Sequence, residues 1–174
     1  MQRSRKPKFL LIGGFASSLI NFRGPLLKAL TEKFDVYATA PYIDEKTKRS
    51  VEALGVTSIS NTFERTGLNP IKDLLAFFKL RKQIRLLDPD YTLAYTIKPV
   101  VFGLLASDSK KNKRYALITG RGSGFDSSSF KEKIIRSIVK KLYTRALSTA
   151  NGTIFQNSTD QELFLNEGIL KKNI

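Results

Sequence analysis

The alternation of short apolar runs with longer amphipathic runs is the feature of this sequence that most limits its fold. Six short runs predict buried strands, from Phe9–Ile12 near the start to Thr153–Phe155 near the end. Between them, apolar residues recur at helical spacing. Helices that connect successive strands require those strands to run parallel, in a sheet covered on both faces. The sequence therefore predicts an α/β fold, a Rossmann-like doubly wound parallel sheet of about six strands with helices on both faces.

The predicted elements follow one another without a repeat or an internal linker. The predicted strands cover 9–12, 35–40, 56–60, 91–95, 115–118 and 153–155. The predicted helices cover about 22–30, 44–54, 69–87, 99–107, 129–150 and 158–168. Gly55 is predicted to end the second helix, Asn69-Pro70 to begin the third, and Ser129 and Ser158 to cap the last two.

Two of these helices have a predicted apolar face. In the first, the face consists of Phe22, Leu26, Ala29 and Leu30. In the third, it consists of Ile71, Leu74, Leu75 and Phe78, extended by Ile84 and Leu87.

The length of 174 residues and the apolar fraction of 41% suit one compact domain. Residues 1–7 are predicted to be a basic, poorly ordered tail, and residues 8–174 to be the domain. The apolar run Phe9–Ile12 is too short for a signal peptide and ends at Gly13-Gly14. No run approaches the roughly 20 apolar residues of a membrane-spanning helix. We therefore expect a cytoplasmic protein, either free or peripheral on the cytosolic face of the plasma membrane.

The charge of the chain favours anionic partners. It has 30 Lys and Arg residues against 15 Asp and Glu residues, a net charge of +15. Phosphate-bearing ligands, anionic lipid surfaces and nucleic acid all fit that sign. Nucleic acid is supported by charge alone, since no nucleic-acid motif is present, and we expect no specific binding. The chain has no cysteine and no histidine, which excludes disulfides and thiolate chemistry and leaves no expectation of a metal site.

Ligands of such sheets bind at the carboxyl ends of the strands, so the loops after strands one, four and five are the candidate site. The loop after strand one contains Gly13-Gly14, Asn21 and Arg23. Glycines permit close approach of a ligand, and Arg23 suits a phosphate or carboxylate. The alternative is a tight turn with a surface arginine, and the dinucleotide fingerprint G-x-G-x-x-G is not met.

The other two loops place more candidate residues at the same edge. After strand four, Thr96 and Lys98 lie just before the N-terminus of a predicted helix. A cation there opposes the helix dipole, so we expect an anionic partner for Lys98. The alternative is a solvated lysine. After strand five, Thr119-Gly120-Arg121 begins a loop rich in glycine and serine, which suits either a functional lid or a plain surface loop.

The helix predicted over 129–150 is basic and amphipathic. Its predicted apolar side consists of Ile134, Ile135, Ile138, Val139, Leu142 and Ala146, and Lys140 and Lys141 belong to its basic side. Such a helix can lie on an anionic membrane. The alternative is a helix that covers the sheet and carries its charge outward.

The sequence resembles the N-terminal domain of family-4-type glycosyltransferases of the GT-B fold, especially bacterial enzymes of surface polysaccharide and lipid-linked oligosaccharide synthesis. The stretches that carry the resemblance are INFRGPL (20–26), SNTFERTGLNP (60–70), YTIKP (95–99), LITG (117–120) and FQN (155–157). Together they extend from about residue 8 to the end of the chain. The chain departs from the family in lacking a histidine and in its loop over 121–125.

The resemblance implies a division of labour between two domains. This half of a GT-B fold would bind the acceptor, such as a sugar on a polyprenyl diphosphate. The absent C-terminal domain would bind the nucleotide-sugar donor, in cis or in trans, and transfer would usually proceed with retention and without a required metal. We therefore expect no cofactor in this domain, no transferase activity of these residues alone, and no assigned catalytic residue.

The acceptor site implied by the resemblance uses the three loops. Arg23 and Lys98 would hold the acceptor phosphate. The predicted acceptor-binding residues are Gly13, Gly14, Asn21, Arg23, Thr96, Lys98, Thr119, Gly120 and Arg121. The alternative function is a non-catalytic Rossmann-like binding module that associates with an anionic membrane or a partner protein.

Overall fold

Six parallel strands form one sheet at the centre of the molecule. The computed structural model describes residues 5–63, 69–107, 111–120 and 130–170, the last range with side chains from Ser137 onward. The strands are β1 (Lys8–Ile12), β2 (Asp35–Pro41), β3 (Thr57–Asn61), β4 (Tyr91–Tyr95), β5 (Lys113–Ile118) and β6 (Gly152–Phe155). Their order in the sheet is β3-β2-β1-β4-β5-β6. This is the Rossmann order, and it confirms the predicted fold.

Helices cover both faces of this sheet. They are α1 (Ser18–Asn21), α2 (Gly24–Leu30), α3 (Glu45–Glu52), α4 (Pro70–Leu87), α5 (Ile97–Ala106), α6 (Phe130–Leu147) and α7 (Ser158–Asn166). Strand residues alternate between two buried clusters. Phe9 and Leu11 of β1 belong to the cluster with α1, α2 and α3. Leu10 and Ile12 belong to the cluster with α4, α5, α6 and α7.

Two of the four predicted helix ends, at Asn69 and Gly55, are confirmed. The side chain of Asn69 accepts a hydrogen bond from the Lys72 N–H at 3.1 Å, with Pro70 in the first turn of α4. Gly55 follows α3 with φ of +83°. The predicted cap of α6 at Ser129 lies outside the described residues.

The predicted cap of α7 is wrong. Asn157 caps this helix, because its extended backbone allows the side-chain oxygen to accept from the Asp160 N–H at 2.7 Å. Ser158, which was predicted to be the cap, is instead the first helical residue.

The predicted apolar faces of two helices are wrong for most of their residues. In α2, the buried apolar residue is Leu27, while Phe22, Leu26 and Ala29 are exposed. In α4, the predicted residues Ile71, Leu74, Leu75 and Phe78 point outward. The predicted extension of that face is correct, because Ile84 is buried with Ala76 and Leu80, and Leu87 packs against the same core. Both sides of α4 are apolar at helical spacing, so the spacing alone does not decide which side packs on the sheet.

The apolar side predicted for α6 needs a similar correction. Ile138 and Leu142 are exposed, whereas Tyr143 and Leu147 are buried with Ala146. Tyr143 fills the space against α7, where its ring meets that of Phe164 edge to face at 5.4 Å. The predicted residues Ile134 and Ile135 lie outside the described side chains.

The amino-terminal residues are held where they meet the sheet. Residues 1–4 of the predicted tail lie outside the described residues, and the Pro7 carbonyl accepts from the Asp35 N–H at 3.0 Å. Across the described ranges, no helix combines the length and the apolarity needed to cross a bilayer.

Candidate functional site

The loops predicted to form the site meet at one edge of the sheet. β1 lies between β2 and β4, and β4 lies between β1 and β5. The direction in which strands are added reverses between β1 and β4, and ligands of Rossmann-type sheets bind in the crevice at that point. Gly13 and Gly14 follow β1, Thr96 follows β4, and Thr119 and Gly120 follow β5. The fold therefore brings these predicted residues to neighbouring strand ends.

Tyr95, the last residue of β4, connects this strand to α1 through its side chain. Its side chain is only 2% exposed, and its hydroxyl lies 2.6 Å from the Ser18 Oγ of α1. The Ser18 hydroxyl in turn lies 2.6 Å from the Phe15 carbonyl, to which it donates. The Tyr95 hydroxyl is therefore the donor to Ser18, and the chain of two bonds fixes α1 against β4.

Sequence reasoning did not select Tyr95 or Ser18. The available signal was a tyrosine at the end of a buried strand, because a buried tyrosine hydroxyl needs a hydrogen-bond partner. Burial raises the pKa of Tyr95, while the Ser18 bond and the positive charge of Arg23 act in the opposite direction. The hydroxyl therefore stays protonated and able to donate at neutral pH.

Arg23 lies over the ring of Tyr95. Its Cζ atom is 4.9 Å from the ring centroid, which is a cation–π arrangement. Nη1 donates to the Phe22 carbonyl at 3.1 Å. Nε is buried, and within the described part of the chain it has no acceptor. Arg23 is thus held beside Tyr95 at this edge of the sheet, and a guanidinium can donate to phosphate or carboxylate oxygens.

Gly13 and Gly14 are explained by packing inside the protein. The Gly13 N–H donates to the Thr39 carbonyl at 2.8 Å. A Cβ atom on Gly13 would lie 2.8 Å from Cζ of Tyr95, and one on Gly14 would overlap the Thr96 hydroxyl. The absence of a Cβ atom at these two positions therefore makes room for Tyr95 and Thr96.

Thr96 joins β4 to α5 in a strained backbone conformation. Its φ of +68° and ψ of 161° fall in a region that is almost restricted to glycine. Thr96 is also the N-cap residue of α5, but its side chain makes no capping hydrogen bond. Strained residues of this kind cluster at ligand sites, which agrees with the position of Thr96 at the crevice.

Lys98 has an anionic partner within the protein. Its Nζ lies 2.8 Å from Oδ1 of Asp73, with side chains 14% and 17% exposed. Asp73 of α4 is therefore an anionic partner of the kind that the sequence predicts for Lys98. The ion pair links the first turns of α4 and α5.

The remaining predicted residues that the structure describes lie at the end of α1 and after β5. Asn21 is exposed at the end of α1, and Thr119 and Gly120 are half-buried after β5. Gly120 has φ of +134°, a conformation that disfavours other residues. Arg121 lies outside the described residues. Within those residues, no group of three or more Asp or Glu side chains is arranged to hold a metal ion.

Two solved structures share the fold over nearly the whole chain. One is a protein of Listeria monocytogenes assigned as a UDP-N-acetylglucosamine 2-epimerase. It is 18% identical with a TM-score of 0.63, and the match covers 95% of this chain and 43% of that one. The other is also a UDP-N-acetylglucosamine 2-epimerase, at 19% identity and a TM-score of 0.64, over 97% of this chain and 46% of that one. At such identities the likeness shows the fold alone.

A relative with known chemistry and a family model identify the family. The chain is 33% identical over 160 residues to the N,N'-diacetylbacillosaminyl-diphospho-undecaprenol alpha-1,3-N-acetylgalactosaminyltransferase of Campylobacter jejuni. The match covers 91% of this chain and 42% of the relative, so the chain spans less than half the relative's length. The family model for glycosyl transferase 4-like proteins matches residues 19–157, which include Arg23, Tyr95, Lys98 and Thr119. The chain therefore belongs to the glycosyl transferase 4-like family.

Proposed function

We propose that this chain binds the acceptor of a nucleotide-sugar-dependent glycosyltransferase that acts in polysaccharide or lipid-linked glycan synthesis. The observation that carries the proposal is the match of 91% of the chain to an enzyme whose name specifies a diphospho-undecaprenol substrate. We assign a sugar on a polyprenyl diphosphate as the acceptor class. The match to only 42% of that enzyme is consistent with a separate donor-binding domain, in cis or in trans.

Arg23 is the residue that we assign to the acceptor diphosphate. Its guanidinium stacks on Tyr95, and its Nε is buried without an acceptor in the described residues. Guanidinium and phosphate oxygens form short, charge-assisted hydrogen bonds, often in pairs. The net charge of +15 attracts the same ligand at longer range.

Lys98 has a different role in this proposal from the one that the sequence indicated. Because its Nζ is bound to Asp73 at 2.8 Å, it links α4 to α5 at the edge of the sheet that carries the candidate site. Gly13 and Gly14 keep the loop after β1 close to β4. Asn21, Thr96, Thr119, Gly120 and Arg121 remain proposed acceptor contacts.

Transfer requires groups that we do not assign to this chain. We assign the nucleotide-sugar to the donor-binding domain and expect the 174 residues alone to transfer no sugar. Adding a matching donor domain to the chain, or joining the two, is expected to restore transfer to the lipid-linked acceptor.

The test is a calorimetric titration with a water-soluble, short-chain polyprenyl diphosphate that carries an N-acetylhexosamine. Arg23→Ala is expected to weaken binding by about 10- to 100-fold, the worth of a charge-assisted hydrogen bond. Arg49→Ala is the matched control, since Arg49 is an exposed arginine in the last turn of α3 and its replacement changes the net charge equally. Absence of binding by the unaltered chain, or an equal loss in both variants, would contradict the proposal.

A further inference from the structure

Tyr42, which directly follows β2, combines an unfavourable backbone conformation with an exposed ring. Its φ of +50° lies in the left-handed region, which disfavours residues that have a Cβ atom and is usually occupied by glycine or asparagine. Its side chain is 69% exposed, so packing among the described residues covers only a small part of the ring. Because the fold gains little from this bulky residue and its backbone is strained, the residue points to a use in binding.

The position of Tyr42 connects it to the candidate site. β2 lies next to β1 in the sheet, and the Gly13 N–H after β1 donates to the Thr39 carbonyl of β2 at 2.8 Å. Tyr42 comes three residues after Thr39, at the carboxyl edge that carries the crevice. On the other side of β1, the strand β4 is followed by Thr96, whose φ is also positive at +68°. Two strained strand ends therefore flank the loop that follows β1.

The width of this edge suits a diphosphate with one sugar attached. Arg23, which we assign to the diphosphate, lies over the ring of Tyr95 at the end of β4. Tyr42 follows β2, and β1 is the one strand between β2 and β4. Neighbouring strands lie about 4.8 Å apart, so the backbones of β4 and β2 are separated by roughly 10 Å. A diphosphate held at Arg23 can therefore extend its sugar across β1 toward Tyr42.

We propose that the ring of Tyr42 stacks on the acceptor sugar and contributes to its recognition. One face of a hexose presents C–H groups, and an aromatic ring placed against that face removes apolar surface of both from water. The phenol hydroxyl can in addition bond to a hydroxyl or an N-acetyl group of the sugar. This assignment rests on the proposed function.

Phe22 is a weaker candidate for the same role. Its side chain is 63% exposed and it directly precedes Arg23. However, its ring meets that of Phe15 edge to face at 6.4 Å, and its backbone is helical. Phe22 therefore has a partner within the protein and lacks the strained backbone found at Tyr42.

The test compares two soluble ligands by calorimetry: a short-chain polyprenyl diphosphate that carries an N-acetylhexosamine, and the same diphosphate without a sugar. Tyr42→Ala is expected to weaken binding of the sugar-bearing ligand by about 5- to 10-fold, as for one lost aromatic contact. Binding of the sugar-free ligand is expected to stay within about twofold. Leu86→Ala is the matched control, because Leu86 is 78% exposed in the last turn of α4, at the opposite edge of the sheet, and should change neither affinity.

A second comparison separates the ring from the backbone. Tyr42→Gly and Tyr42→Ala both remove the ring, so both are expected to lose the preference for the sugar-bearing ligand equally. Glycine accepts a positive φ, so Tyr42→Gly is expected to have a folding equilibrium constant about fivefold above that of Tyr42→Ala in urea unfolding. Tyr42→Phe keeps the ring and is expected to bind the sugar-bearing ligand more tightly than either variant.

Two results would overturn the stacking assignment and leave the assignment of Arg23 to the diphosphate in place. One is equal affinity of the unaltered chain for the two ligands. The other is a Tyr42→Ala variant that loses affinity for both ligands equally or keeps its affinity for the sugar-bearing one. Failure of the unaltered chain to bind either ligand would overturn the stacking assignment and the proposed function together.

Discussion

The hydrogen bond between Tyr95 and Ser18 gives an asymmetric prediction. Ser18→Ala leaves the Tyr95 hydroxyl, on a side chain only 2% exposed, without the acceptor that it has 2.6 Å away. A buried polar group that loses its partner costs about 1–3 kcal/mol. Tyr95→Phe removes the hydroxyl, but Ser18 still donates to the Phe15 carbonyl. The loss is then close to the net value of one hydrogen bond, about 1 kcal/mol.

The two substitutions are expected to be less than additive. In the double variant S18A/Y95F no buried hydroxyl is left without a partner, so its free energy of unfolding should exceed the additive expectation by about 1 kcal/mol. Urea unfolding of the four proteins at neutral pH, with unchanged m values, measures this coupling. Additive losses, or a larger loss in Y95F than in S18A, would refute the assignment of Tyr95 as the donor.

Three further predictions concern other parts of the fold. The raised pKa values of Tyr95 and Tyr143 mean that the folded state favours the protonated phenols. The two protonated phenols contribute fully to the free energy of unfolding below the unfolded pKa of about 10. This contribution is lost as the pH rises through the pKa values of the folded state. Each Phe variant should therefore show a shallower alkaline decline in the free energy of unfolding. Asn157→Ala should cost about 1 kcal/mol in urea unfolding, whereas Ser158→Ala should stay within about 0.5 kcal/mol. Gly13→Ala should cost about 1–3 kcal/mol in the same assay, because its Cβ meets the Tyr95 ring.

The fold was predictable because the strand runs are short, apolar and separated by helical segments. The bounds of β4 agree with the prediction, and the shared stretches around Arg23 and Lys98 pointed to the family that the relatives confirm. Such features are local, and parallel strands connected by helices admit few arrangements.

The inner side of α4 was not predictable from spacing. Its buried and exposed sides both repeat apolar residues every three or four positions. The side that packs includes the small Ala76, which allows the helix to approach the core closely, and this depends on the sheet beneath it. The opposite side of α4 remains exposed and apolar, although the sequence pattern favoured it as the packed face.

The contacts of the site depend on residues that are distant in the sequence. Lys98 pairs with a carboxylate 25 positions earlier, and Ser18 pairs with a tyrosine 77 positions later. The sequence identified Lys98 as a cation that needed an anion, but it did not distinguish a ligand from Asp73. Packing of α4 against α5 brings Asp73 within 2.8 Å of Lys98.

The claim that the acceptor lies in the crevice between β1 and β4 is tested most directly by photo-crosslinking. A short-chain polyprenyl diphosphate that carries a diazirine-modified N-acetylhexosamine would be irradiated with the 174-residue chain, and the labelled peptides identified by mass spectrometry. We expect labels in 13–23 and 95–98, suppressed by unmodified acceptor and reduced in Arg23→Ala. Labels confined to other peptides, or insensitive to competition, would contradict acceptor binding at this edge of the sheet.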